Sequence, residues 1–414
     1  MVMVWGRSVR TTRSALALVA ALSLVVGTAC SSGDDDDAVP EGDPIAGGDA
    51  AADAGASEVV YPGDEWDRAA GAAELGFDQA ILDELAAQAE QAGSNCLLVT
   101  RHGRIAAEWY WNDTGATSAQ EVFSASKSVA STLVGIAQAE GALDIGDPAS
   151  DYIDAWAGTP SEDVTVENLL SNDSGREWSF ATDYGQLPGQ RDLDGFATGL
   201  SQQYEPGESW AYNNAAIQTL DVVLREATGE QAAEYGAEHL FEPIGMDDTT
   251  MTVDEAGNTR MFMGVQTTCE DLARFGYLFL RDGSWDGSEV VPAEWVDAAT
   301  GGPSQELNAA YGYLWWLNRT GPILSPVQAT DPGADAPDMP DSQLVPGAPE
   351  DMFFALGLGN QIVAVDPGSE TVDVRLGGPA PPEGATPFDT ATAARVVTDA
   401  LVDPDAGSGT APDA

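Results

Sequence analysis

The chain has 414 residues, with 68 Asp and Glu against 16 Lys and Arg and a formal net charge of −52. A field of that sign repels phosphate backbones and anionic headgroups, which excludes nucleic acid and an anionic lipid surface as partners. Lys127 is the sole lysine and every other cation is Arg; so acidic a composition, nearly free of Lys, suggests adaptation to high salt.

Residues 1–29 read as an export signal: Arg7, Arg10 and Arg13 precede an apolar stretch, Ser14 to Val26, too short to span a bilayer. Cleavage is expected at Gly27-Thr28-Ala29-Cys30. A Cys after a small residue there marks Cys30 as a lipidation site, so the expected location is extracytoplasmic, held to the membrane through that lipid alone. Residues 30–62, with the run Asp34 to Asp37, form an acidic tether with too little apolar content to fold. Residues 63–404 are long enough for one large domain, and 405–414 read as a disordered tail.

Within the domain, Ile81, Leu82, Leu85 and Ala89 predict a helix over Phe77 to Ala92. Cys96 to Thr100 and Ile105 to Trp111 predict two strands joined at His102-Gly103. The next helix is expected from Val122 to Glu140, with Gly141 as its stop. Helices follow at Ile217 to Thr228, Gln231 to Leu240 and Glu270 to Arg281. Strand signals return at Tyr313 to Leu317, Met352 to Leu356, Gln361 to Val365 and Thr371 to Arg375, before a helix at Ala391 to Leu401. The expected fold class is α/β: an antiparallel sheet sandwiched by helices (about 63–120 and 301–404), with an inserted all-α region over about 121–300.

The chemistry centres on Phe123-Ser124-Ala125-Ser126-Lys127-Ser128. In a helix, residues three apart share a face, so the Ser124 hydroxyl and the Lys127 amine can touch. A serine needs a base to become a nucleophile, and Arg cannot serve because it keeps its proton. Ser126 and Ser128 neighbour Lys127 directly and fall on other faces. Downstream, Tyr212-Asn213-Asn214 follows the turn Glu205-Pro206-Gly207-Glu208; a tyrosine near a cationic amine is expected to have a lowered proton affinity and to relay protons. A Ser-His-Asp triad has only His102 and His239 to draw on, and both sit where a structural role is expected. There is no Gly-x-Ser-x-Gly elbow, no zinc-ligand spacing, and no call for a metal or other cofactor.

These stretches, with Leu169 to Gly175, Leu240 to Met246 and Asp271 to Gly276, resemble the serine hydrolases of the class C β-lactamase and penicillin-binding-protein superfamily over about Tyr61 to Leu401. The resemblance implies Ser124 as nucleophile, Lys127 and Tyr212 as the proton-transfer pair, and Asn214 on the substrate's amide or carbonyl. The family's basic residue on an edge strand is missing: Leu358 stands near its place in Ala355 to Gln361. That departure favours esterase, amidase or nylon-oligomer-hydrolase-like branches over a true β-lactamase or D-Ala carboxypeptidase, and leaves a non-turning acylated sensor as the other reading. A backbone N–H near Asn360 or Gln361 is expected to complete an oxyanion hole with that of Ser124. Trp210, two residues from Tyr212, is the expected pocket aromatic, whereas Trp156, Trp178, Trp315 and Trp316 are assigned mainly to the core. Ser325 to Asp351 is a candidate lid. Cys96 and Cys269 form a bridge or remain two buried thiols. The expected ligand is a small ester, amide or peptide; oligomeric state stays open.

Overall fold

The structure, a computed structural model, describes residues 59–333 and 341–403. The export signal, Cys30, most of the tether and the tail lie outside these residues.

Six strands build one antiparallel sheet: β1 (Ser94–Arg101), β2 (Arg104–Tyr110), β3 (Trp316–Leu317), β4 (Phe353–Gly357), β5 (Gln361–Asp366) and β6 (Thr371–Gly377). Their order across the sheet is β2-β1-β6-β5-β4-β3. The β1–β2 turn is His102-Gly103, with φ of 51° and 74°, the left-handed pair that matches strand twist in a two-residue hairpin. Both faces are covered, so β5 and β6 are buried throughout; Ile362 to Val365 of β5 reads as a continuous apolar run, whereas β6 alternates and buries Asp373 and Arg375 as well.

On one face lie helix α1 (Gln79–Gln91) and the closing helical segment Thr390–Ala400. Asp78 caps α1, accepting from Ala80 N at 2.8 Å. Leu82 and Leu85 of α1 and Val396 and Ala400 of the closing segment meet Val99 of β1 and Ala106 of β2. Against the other face lies a helix, α3 (Cys269–Leu280). It falls within the stretch read as a helical insert, yet it is a cover of the sheet. Gly276 lets it approach: a Cβ there would meet Val372 Cγ1 at 2.7 Å and Val363 Cγ1 at 3.0 Å. A disulfide joins Cys96 of β1 to Cys269 at the first turn of α3, which resolves the open choice between a bridge and two thiols.

Helix α2 (Ser126–Ala139) packs against β4 on one side and against the helices at Leu220–Thr228 and Ala232–Gly236 on the other. Some short elements differ from expectation. Only Trp316–Leu317 of the expected Tyr313 strand is extended, because Leu314 turns the chain at φ 60°. A small sheet of Gln120–Glu121, Val265–Thr267 and Thr250–Met251, strands too short to leave a pattern, braces the entry to α2.

Candidate active site

Ser124 sits in a tight turn, Phe123–Ala125, from which α2 starts at Ser126. The turn begins at Phe123 with φ 49°, a left-handed conformation that costs a bulky residue about 1–2 kcal/mol. Glu121 holds it there: Oε1 accepts from Phe123 N at 3.0 Å and from Gly264 N at 2.8 Å, and Oε2 accepts from Gln266 Nε2 at 2.6 Å. The sequence pointed to a smooth helical start at Val122; the strained turn replaces it and lifts Ser124 clear of the helix barrel.

Lys127 is 1 % exposed. Its Nζ donates to Ser124 Oγ at 2.8 Å and to the Phe262 carbonyl at 2.8 Å. Burial pushes the amine down to about 7, with the nearby Asp183 carboxylate acting against that fall. The rival serines are occupied elsewhere: Ser126 Oγ accepts from Val265 N at 3.0 Å, and Ser128 Oγ donates to Leu314 O at 2.9 Å.

Tyr212 closes the group. Its ring stacks on Trp316 at 5.6 Å between centroids and stands edge-on to Tyr311 at 5.8 Å. Lys127 Nζ lies 4.6 Å from the ring centroid. Burial pushes the Tyr212 phenol well above its ordinary value, and the neighbouring Ser124 hydroxyl offsets only part of that. The expectation of a lowered tyrosine is thus corrected. The amine stands over the ring face and has lost most of its own tendency to carry charge, so it gives the phenolate little support.

Asn214 does not reach out toward a substrate with its amide nitrogen. Nδ2 donates to Asp183 Oδ2 at 2.7 Å, and the same oxygen accepts from Asn214 N at 3.0 Å, while Asp183 Oδ1 accepts from Ala215 N at 3.1 Å. Asp183 thereby fixes the segment that carries Tyr212. Its carboxyl is 1 % exposed and pushed up to about 6 by burial. Among the described residues, Asn214 Oδ1 is left buried without a hydrogen-bond partner. Asp183, in a wide helical turn (Ala181–Gln186), carried no motif in the sequence. Neither did Phe262, which contributes only a carbonyl.

The strand segment nearest the nucleophile turn is Gly357, where a Cβ would fall 2.1 Å from the Val122 carbonyl. Gln361 is turned away from the site. Its Nε2 donates to Leu358 O and Gly377 O, both at 3.0 Å, and its Oε1 accepts from Gly377 N at 2.8 Å. Asn360 occupies the β4–β5 turn at φ 59°, and its carbonyl accepts from Arg375 Nη1 at 2.9 Å. The backbone approach therefore comes three to four residues earlier than the sequence suggested. Trp210 is also corrected: it is fully buried beneath Tyr311. Trp178 is nearer the site, donating Nε1 to the Tyr212 carbonyl at 3.0 Å. Phe180, 41 % exposed, stacks on Tyr184 at 5.1 Å between centroids. The described part of the candidate lid is anchored: Tyr184 OH donates to Pro326 O at 2.9 Å and Thr330 N to Trp210 O at 2.9 Å. His102 and His239 pair with Glu370 and Glu140 at 2.8 and 2.9 Å, as structural ties.

A serine in the turn that opens a helix, paired with a lysine of that helix's first turn and facing a loop tyrosine beside a helix-covered antiparallel sheet, defines the serine-active superfamily of β-lactamases and penicillin-binding proteins. The chain belongs to its Beta-lactamase family, whose model matches residues 79–391. Over 249 residues it is 28% identical to 6-aminohexanoate-dimer hydrolase of Paenarthrobacter ureafaciens, covering 56% of this chain and 63% of that relative, less than two thirds of its length. In fold it is similar to a β-lactamase from Mycobacterium bovis (TM-score 0.54, 18% identity, 77% of this chain and 97% of that one). It is also similar to a β-lactamase/D-alanine carboxypeptidase from Pseudomonas syringae (TM-score 0.53, 17% identity, 77% and 97%).

Proposed function

We propose that the protein is a serine hydrolase that cleaves an ester or amide bond through an acyl-enzyme on Ser124. One observation carries this reading: a buried amine held down to about 7 donates to Ser124 Oγ at 2.8 Å. Near neutral pH a large fraction of Lys127 is uncharged, so its lone pair can take the Ser124 proton as Oγ attacks the carbonyl carbon. The Ser124 N–H and a backbone N–H at Gly357 or Leu358 hold the oxyanion. Tyr212, kept protonated by burial, donates to the leaving alkoxide or amine as its bond to carbon breaks, and recovers a proton from Lys127. Water then attacks the acyl carbon and gives its proton to the same pair, which returns it to Ser124 Oγ as the acyl bond breaks. The opposed shifts support Lys127 as base and Tyr212 as acid.

The substrate class follows from charge. No basic residue stands at Leu358, and the protein's field opposes anions, which supports a neutral or cationic ester or amide over a carboxylate-bearing β-lactam. The similarity to a 6-aminohexanoate-dimer hydrolase supports short linear amides among the candidates. Export and attachment through a lipid on Cys30 belong to the same proposal, and the Cys96–Cys269 disulfide supports an oxidising compartment. The test is steady-state hydrolysis of p-nitrophenyl butyrate and of nitrocefin. Ester turnover that disappears in Ser124→Ala, with nitrocefin a poor substrate, is expected. Turnover unchanged in Ser124→Ala would remove the nucleophile assignment, and efficient nitrocefin hydrolysis would overturn the substrate class.

A further inference from the structure

The Phe262 carbonyl that holds Lys127 belongs to a loop with an unusual set of fastenings. Two residues upstream of the carbonyl's neighbour Met261, Thr259 N donates to Asp221 Oδ2 at 3.1 Å. The Gln218 amide grips the loop twice: Nε2 donates to Thr259 O at 2.7 Å, and Oε1 accepts from Met261 N at 3.1 Å. The same Nε2 donates to Asp194 Oδ1 at 2.8 Å. Arg225 Nη1 then bridges Asp194 Oδ2 at 3.1 Å and Asp221 Oδ2 at 3.0 Å. Gln218 and Asp221 are fully buried. The amide thus uses both ends on Thr259 to Met261, the three residues directly before Phe262, whose carbonyl accepts from the catalytic lysine.

We propose that Gln218 is a positioning residue for Lys127, clamping Thr259 and Met261 so that the Phe262 carbonyl stays on the amine and turns its lone pair toward Ser124. Asp194, Asp221 and Arg225 anchor the far side of that clamp. The reason for so firm a clamp lies in the lysine. A buried amine with two hydrogen-bond partners has one remaining degree of freedom, rotation about its last carbon–nitrogen bond. A fixed carbonyl on one side takes one N–H and confines the lone pair to the two remaining positions, one of which faces Ser124. The carbonyl also stabilises the ammonium form, because a hydrogen bond to the charged state favours it. A slack loop therefore has two effects of known sign. The lysine becomes easier to deprotonate, and it is less well aimed. Among the described residues, Asp183 is the charged group that acts on Lys127; Gln218 is neutral, so replacing it with a neutral residue leaves that field alone.

This inference rests on the serine-hydrolase reading for its catalytic consequence but not for its test, because Lys127 can be followed directly. The chain has one lysine, so protein grown with 13Cε-lysine gives a single side-chain resonance whose titration needs no substrate. The full-length chain would be compared with Gln218→Met, which has the right volume and no hydrogen bonds, and with Gln218→Asn, neutral and polar but too short to reach both Thr259 O and Met261 N. Thermal unfolding reports whether each variant is folded. In either folded variant the Lys127 titration is expected to move to lower pH by about half a unit or more. The acid limb of kcat/KM should move with it, kcat should fall about tenfold, and KM should change little. A folded variant whose lysine titrates as in the parent would overturn the proposal, whatever its activity. Failure of both variants to fold would make Gln218 a residue of the core and overturn it equally. An inactive parent with a shifted lysine titration would remove the hydrolase reading and leave the clamp standing.

Discussion

Replacing Lys127 by Met is expected to stabilise the folded protein at mildly acidic pH while abolishing catalysis. The amine falls from an ordinary 10.5 to about 7 on burial, which corresponds to a preference of about 5 kcal/mol for the neutral form in the folded state. Below pH 7 lysine is charged in both states, so the folded chain bears the full cost. Above pH 7 the folded lysine is neutral while the unfolded one still binds a proton, and the cost fades as pH approaches 10.5. Met removes this burden but leaves the Phe262 carbonyl and Ser124 Oγ without their donor, at about 1–3 kcal/mol in total. The net gain at pH 6 is therefore about 2–4 kcal/mol, shrinking by about 3 kcal/mol by pH 9, where it lies within about 1 kcal/mol of zero. Urea unfolding of parent and Lys127→Met at both pH values measures the difference. A variant less stable than the parent at pH 6, or a difference that does not change with pH, would refute the burial argument and with it the reason Lys127 can act as a base.

Other perturbations bear on separate parts of the structure. Asp183→Asn removes the carboxylate that supports the Lys127 ammonium, so the acid limb of kcat/KM should shift to lower pH; loosening of the Tyr212 segment should cut kcat about tenfold, the effect of one charged hydrogen bond, as a pH–rate profile would show. Gly276→Ala forces a methyl to within 2.7 Å of Val372 Cγ1 and should cost about 1–3 kcal/mol, read as a lower Tm with unchanged kcat in the remaining folded protein. Cys269→Ser opens the bridge to Cys96, which closes a sequence separation of 173 residues. A loss of about 2–4 kcal/mol is expected in denaturant unfolding, and adding a reductant should reproduce it in the parent.

Much of the fold was legible because it rests on local patterns. Helix α1 and strands β1, β2, β5 and β6 fall where periodicity and turn residues put them, within a few residues of expectation. The Ser124–Lys127 pair was legible for the same reason, since spacing on a helix is a short-range property. Tyr212 came from motif context, and the structure brings its phenol to the pair. What stayed hidden depends on groups distant in sequence or without side-chain identity. The Phe262 carbonyl belongs to the backbone and leaves no residue signal. Asp183 is one of 68 acidic residues, and its role comes from amides 31 and 32 positions away that it caps. Phe123 reads as an ordinary apolar helix residue, because its positive φ is imposed by Glu121. Gln361 and Trp210 show the opposite failure. Both were polar or aromatic residues near a motif, and both are used up in packing and hydrogen bonds behind the site.

The proposed hydrolysis passes through a covalent intermediate at Ser124. Rapid mixing of the protein with excess p-nitrophenyl butyrate, acid quench and intact-mass measurement would test it directly. The prediction is a burst of about one p-nitrophenol per chain, accompanied by the mass of a single butyryl group that is missing from Ser124→Ala. Hydrolysis that proceeds with no adduct at any quench time and persists in Ser124→Ala would contradict it.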